Sequence, residues 1–201
     1  MRVGLREAKK LATRQQIAAV AMRLFVQRGF DHVTVAEVAQ AAGVSEKTVF
    51  NYFPSKEDLF FDEAPERLAA LADGIRSRPV EETVLRAMRR LQLGEVPRLT
   101  SPGFVHFART LEESPALLVK EVDVMAQFAI VLAEVLQEEG LPERDARISA
   151  TLLVGVHRQF FRAARRMSLA GKHGPAAVRR LKTDIARAYE LLEGGLGAVL
   201  P

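Results

Sequence analysis

The four histidines of this chain, His32, His106, His157 and His173, lie too far apart to form the i, i+4 pair of a helical zinc site. There is no cysteine to add a thiolate or a disulfide. No G-x-S-x-G, phosphate-cradling glycine loop or H-E-x-x-H occurs, so the expectation is a chain that is not an enzyme and carries neither metal nor cofactor. The residues with usable chemistry gather elsewhere. Glu46, Lys47, Phe50 and Asn51 fall on the exposed N-terminal part of a short helix. A lysine donates to guanine O6 and N7, an asparagine pairs with adenine, and an aromatic ring packs on a thymine methyl. This is recognition of base edges in a major groove, not bond breaking.

The elements that must hold these side chains are legible around them, in the stretch Thr34 to Lys56. Thr34 and Glu37 have capping-box spacing and open a short helix over about 35–41, with Val35, Val38 and Ala39 inward. Ala39 gives a small contact at a helix crossing, and Gly43 supplies a turn conformation that a side chain opposes. Ser45 is the N-cap of the third helix, which must stop at Phe53 because Pro54 disfavours helical geometry in the residue before it. Val44 and Val49 plug the space beneath, and Phe53 shares the inward face, which leaves Phe50 outward. A longer first helix, about 9–28, presents Ile17, Val20, Ala21, Leu24 and Phe25 as one stripe and ends at Gly29 as a left-handed C′ residue. Two short helices at a tight turn, leaning on a third, describe a helix-turn-helix that reads duplex DNA.

Beyond it, Ser55 and Asp58 repeat the capping signature and open a fourth helix, with a kink or break expected near Ala64 because of Pro65. Further helices are expected over about 81–93, 103–113, 115–139, 143–169 and 175–193, with 94–102 as the clearest irregular segment. The helix 143–169 carries two apolar stripes: Ile148, Leu152, Val156, Phe160, Ala163 and Met167, and Ala150, Val154, His157, Phe161 and Ala164. A helix apolar on two faces needs two partners, one of which a second chain can supply. Gly155, mid-helix, suggests a close helix approach. No segment alternates with period two, so the fold class is all-α, with about nine helices.

Composition sets the outer bounds. With 48% hydrophobic and 27% charged residues, the chain has material for a core, which argues against disorder. No apolar run reaches the ~20 residues of a membrane span, the N-terminus has no apolar stretch of a secretory signal, and the lack of cysteine suits a cytoplasmic protein. The net charge of +4 is unevenly spread. Arg2, Arg6, Lys9, Lys10 and Arg14 precede the reading motif and are placed to enter a flanking minor groove or to remain a solvated end. A later basic set, Arg158 to Arg187, reads as a solvated face.

The run R-G-F at the end of the first helix, followed by T-V-x-x-V-A-x-x-A-G-V-S-x-x-T-V-x-N-Y-F-P-S-K-E-x-L, resembles the tetracycline-repressor (TetR) family of transcriptional regulators over about residues 11–60. The remainder matches in helical layout and length. The resemblance implies a DNA-binding domain at 1–55, a ligand-binding and dimerisation domain at 56–201, a homodimer on a palindromic operator, and release by a small molecule, usually in a repressor. It also implies that Thr34, Thr48, Tyr52 and Lys56 contact phosphates, fixing register rather than sequence. The helix N-termini at Thr34 and Ser45 add backbone N–H groups for phosphate oxygens.

In that family the middle helices enclose the ligand and the last two helices pair across the dimer. Candidate pocket residues are Phe104, His106, Phe107, Arg109, Met125, Phe128, His157, Phe160 and Phe161, which favour an apolar or aromatic effector with an acidic group for Arg109. Aromatic stripes and a histidine on an apolar face are also what plain core looks like. The competing function is a helical DNA-binding architectural or adaptor protein without an effector. A recombinase would need a catalytic domain, and none is visible.

Overall fold

The computed structural model describes residues 4–195, all of its regular structure helical. Helix α1 (Leu5–Arg28) starts earlier than the expected residue 9, since L-R-E-A-K-K is built of strong helix formers. It ends at Gly29, whose φ of 83° is positive but whose ψ of 146° is extended, so the left-handed cap expected there is not formed. Helices α2 (Val35–Ala42) and α3 (Glu46–Tyr52) follow, joined through Gly43 at φ 69°, ψ 32°, the left-handed conformation the turn requires.

The expected fourth helix is two helices, α4 (Lys56–Phe60) and α5 (Ala64–Arg76), which brings the described residues to ten helices rather than nine. Pro65 explains the division: as the second residue of α5 its missing N–H costs no helical bond. Helix α6 (Val84–Leu99) starts behind Thr83, whose side chain accepts from the Arg86 N–H, and runs on through Gly94 and Pro97. The segment 94–102 is therefore mostly helix, against expectation. Pro97 sits in the last turn, where it forfeits a single bond, and Val96 and Leu99 are buried there. Thr100 closes the helix with both its N–H (3.0 Å) and its hydroxyl (2.8 Å) on the Val96 carbonyl. Helices α7 (Phe104–Glu113), α8 (Pro115–Glu138), α9 (Glu143–Leu169) and α10 (Pro175–Gly194) keep to the periodicity.

The chain forms two compact units, Met1–Ala64 with Arg109–Lys120, and Pro65–Ala108 with Glu121–Pro201. In the first, Ile17, Ala21, Phe25, Val38, Val49, Phe53, Leu59 and Phe60 are buried together with Leu111 and Leu117. Phe25 and Phe30 meet at 4.8 Å between ring centroids. The Gln16 amide donates to the Ala42 carbonyl (3.0 Å), tying α1 to the end of α2.

In the second unit, α6, α9 and α10 pack on one another around Met88, Val96, Leu181, Ile185 and Tyr189. A Cβ on Gly74 would lie 2.8 Å from a Leu91 methyl, so α5 and α6 meet where the Leu91 side chain packs over the glycine. Helix α9 turns Ala150, Val154 and Ala164 of its second stripe inward, and Phe160 of the first with them. From the other stripe Ile148 and Leu152 stay 52% exposed. A Cβ built on Gly155 would meet no atom of another helix within 4 Å, so the expected close approach is not made among the described residues.

Candidate functional site

The reading head is assembled from caps and a few buried apolar contacts. Val49 and Phe53 face inward at 1% exposure each, while Phe50 stands 48% exposed beside exposed Glu46, Lys47 and Asn51. The outward set anticipated from the sequence therefore shares one surface at the start of α3. The Ser45 hydroxyl accepts from the Thr48 N–H (3.1 Å) and lies 2.9 Å from the Thr48 hydroxyl. Since one proton serves that contact, the pair keeps a second hydroxyl proton for an outside acceptor.

Thr34 is more committed. Its N–H (2.8 Å) and hydroxyl (2.9 Å) both donate to Glu37 Oε2, and its Oγ1 accepts from the Glu37 N–H. Arg28 adds a 2.7 Å ion pair on Oε1. The backbone donation from Thr34, then Arg28, then the Thr34 hydroxyl hold the Glu37 carboxyl down at about 2. A phosphate, which only accepts, must compete with this cap for the Thr34 proton. Tyr52 is half-buried at the end of α3. Lys56 is half-buried too, its ammonium 4.1 Å from the centre of the Phe30 ring, and burial lowers its pKa against the pull of Asp31, Glu57 and Glu37.

Of the basic N-terminal set, Arg2 lies outside the described residues, as does the Arg6 side chain. Lys9 and Lys10 are exposed, whereas Arg14 packs: it donates to the Asp62 carbonyl (2.8 Å) and sits 5.1 Å from the centre of the Phe53 ring.

Two contacts of the first unit were invisible in the sequence. Buried Ser114, at the start of α8, donates to Asp31 (2.7 Å), and Lys120, further along α8, makes a 2.7 Å ion pair with Asp58. Asp58 also accepts from the Ser55 N–H (2.9 Å) and hydroxyl (2.7 Å) as the third residue of the α4 capping box. Burial pushes the Asp58 carboxyl up, but Lys120 and Ser55 overcome this and hold it below its ordinary value. The capping signature was readable; its partner from a remote helix was not.

The proposed effector residues divide. Phe104, Phe107 and Phe161 form one cluster, with centroids 5.8, 5.7 and 6.0 Å apart, and Arg98 lies 5.8 Å from the Phe104 ring. Phe128 stacks on His157 at 5.4 Å, and burial pushes the imidazole down to about 4, so it is neutral at pH 7. Met125 is half-buried, and Phe160 is buried in the same core. His106 is exposed, and so is Arg109, which belongs to the first unit. The sequence reading missed a buried ion pair, Arg165 on Glu121 at 3.1 and 3.2 Å, which pins α9 to α8.

It also missed Gln92 and Tyr189. The Gln92 amide and the Tyr189 hydroxyl are buried without a hydrogen-bond partner among the described residues. Such a group costs about 1–3 kcal/mol. Part of the late basic set, Arg166, Lys172, Arg180 and Arg187, lines an open groove of about 590 Å³ between α9 and α10, floored by Phe160, Met167 and Leu191.

A capped three-helix head with an exposed recognition surface, followed by a second helical unit, defines an all-α helix-turn-helix protein. Residues 17–62 match the family described as bacterial regulatory proteins, tetR family. The chain is 30% identical over 125 residues to the HTH-type transcriptional regulator TcmR of Streptomyces glaucescens, covering 58% of this chain and 55% of TcmR. It is 37% identical over 89 residues to the putative mycofactocin biosynthesis transcriptional regulator MftR of Mycobacterium tuberculosis, covering 43% of each. The match thus spans about half the length of these curated relatives. Among solved structures, a putative TetR-family regulator from Mesorhizobium loti aligns with TM-score 0.59 at 16% identity, covering 92% of this chain and 96% of that one. Thermus thermophilus FadR, a TetR-family repressor in complex with lauroyl-CoA, aligns at 0.51 with 23% identity, over 91% and 94%. Residues 17–62 thus carry the N-terminal domain of the tetR family, and the chain shares the overall fold of the solved TetR-family regulators.

Proposed function

We propose that the protein is a ligand-responsive transcriptional repressor of the cytoplasm, without enzymatic activity, that binds a palindromic operator as a homodimer and leaves it when a small molecule binds. The observation that carries the reading is the surface of α3, where Glu46, Lys47, Phe50 and Asn51 are exposed together over buried Val49 and Phe53. Lys47 and Asn51 supply direct base contacts, and Phe50 the contact to a thymine methyl. The Ser45–Thr48 pair, Tyr52 and Lys56 hold the phosphates, and Thr34 joins them by giving up its bond to Glu37.

Residues 1–55 form the reading domain and 56–201 the effector and dimerisation domain in this proposal. The second copy covers the α9 face on which Ile148 and Leu152 stand exposed beside open Gly155. With α10 this builds a four-helix interface and sets the two copies of α3 about 34–36 Å apart. The relay runs through α8, which begins in the first unit, where Lys120 holds Asp58, and continues into the second. Ligand binding that shifts α8 therefore pulls on the cap of α4. Selection of DNA sites with the purified full-length chain tests the proposal. A two-fold symmetric sequence with half-sites about one helical turn apart supports it, and recovery of no preferred sequence refutes it.

A further inference from the structure

Helices α6 and α10, which pack on one another, each carry one buried, uncharged polar side chain among apolar neighbours. Gln92 is 4% exposed with both amide atoms unpartnered among the described residues, and Tyr189 is 1% exposed with its hydroxyl in the same condition. On α6 the buried stripe runs Met88, Gln92, Val96; on α10 it runs Leu181, Ile185, Tyr189. Apart from the two polar residues, both stripes are apolar, and neither carries a charge.

The helix register brings the two groups to one level. Arg86, near the start of α6, is 3.9 Å from Glu193, near the end of α10, so the two packed helices run antiparallel. At 1.5 Å per residue, Gln92 lies about 9 Å along α6 from that pair and Tyr189 about 6 Å back along α10. They are separated by roughly 3 Å along the seam, well within one turn. Two unsatisfied groups at one level of a core are a standing cost, and a protein tolerates such a cost where the groups have another task.

We propose that Gln92 and Tyr189 are the polar handles of a small-molecule site in the α6–α10 seam, which takes a neutral, mainly apolar molecule bearing a carbonyl oxygen. The amide N–H of Gln92 and the O–H of Tyr189 both donate to that oxygen, whose two lone pairs accept them, and the helices part to admit the hydrocarbon body. The amide oxygen remains for a neighbouring hydroxyl on the ligand. A carboxylate or an ammonium is rejected, because neither handle carries a charge to offset its desolvation. The inference rests on the effector-responsive reading above and names the chemistry of that effector.

Three probes of one size separate the possibilities on the full-length chain: 2-acetylnaphthalene, 2-naphthoate and 2-ethylnaphthalene. The ketone should bind at least tenfold more tightly than the carboxylate or the hydrocarbon. Gln92→Leu and Tyr189→Phe should each weaken the ketone about tenfold and leave 2-ethylnaphthalene unchanged or tighter. Without any probe, both variants should melt about 1–4 °C higher, since each removes an orphaned group. A lower melting temperature in both variants, equal binding of the three probes, or no binding of the ketone overturns the proposal. Site selection on the same preparations keeps the two readings apart. If a preferred DNA site is found and the ketone preference is absent, this inference fails alone. If the preference is present and no DNA site emerges, the regulator reading fails alone.

Discussion

Replacing Lys120 with methionine keeps the alkyl stem and removes the ammonium that lies 2.7 Å from Asp58. The two side chains are 28% and 26% exposed, so water screens the pair less than it screens a surface pair. The substitution does not strand a buried charge, because Asp58 keeps the Ser55 N–H and hydroxyl. The loss therefore falls below the 3–5 kcal/mol of a broken, fully buried pair and above the 0–1 kcal/mol of a surface one, at about 1–2 kcal/mol. A double-mutant cycle with Asp58→Asn should return a coupling of about 1 kcal/mol.

The assay is urea unfolding in a Tyr189→Phe background, where Tyr52 becomes the sole tyrosine in a chain without tryptophan and reports on the first unit. The acid limb gives a second reading. The Asp58 pKa is lowered on folding, so its stabilisation is present above the unfolded value of 3.8 and is lost as pH falls through the folded value. Lys120→Met should flatten that limb. Additivity of the two substitutions within about 0.3 kcal/mol, with an unchanged acid limb, refutes the claim that this pair clamps α8 to the cap of α4. In the regulator reading the same variant should also lose up to roughly tenfold of its response to effector, measured by gel shift.

Asn51→Ala should cost the selected DNA site about 1–3 kcal/mol and relax the preference at one base pair, whereas Tyr52→Phe should weaken all sequences alike; competition gel shifts separate the two patterns. His157 binds its proton in the unfolded chain near 6.5 and in the folded one near 4, so stability should fall as pH drops through that window, by about 1–3 kcal/mol given its partial exposure. His157→Phe should abolish that slope in urea titrations. Gly43→Ala introduces a Cβ that meets nothing within 4 Å, so its cost of about 1–2 kcal/mol should be purely that of the left-handed backbone, visible as a lower midpoint without a changed slope.

Local signals carried most of the reading head. The capping pairs Thr34–Glu37 and Ser55–Asp58 formed with the bonds their spacing predicts, Ser45 capped α3, and Phe50 turned outward once Val49 and Phe53 took the inside. These features depend on residues within one helical turn of each other, and so the chain states them directly. Legibility failed where a local rule met a tertiary contact. Gly94 and Pro97 argued for a loop, yet burial of Val96 and Leu99 held the helix together through both. Pro65 announced a break but not that the break was complete.

The capped head, the all-helical class and the helix periods were therefore determined by the sequence itself, because caps, turns and 3.6-residue stripes are interactions between near neighbours. Which stripe of α9 faces inward, that Lys120 reaches Asp58, that Arg165 finds Glu121, and that Gln92 and Tyr189 are buried at one level were decided only by tertiary structure. Those outcomes join residues far apart in the chain, and a side chain's partner there is set by how helices pack, which no local spacing encodes.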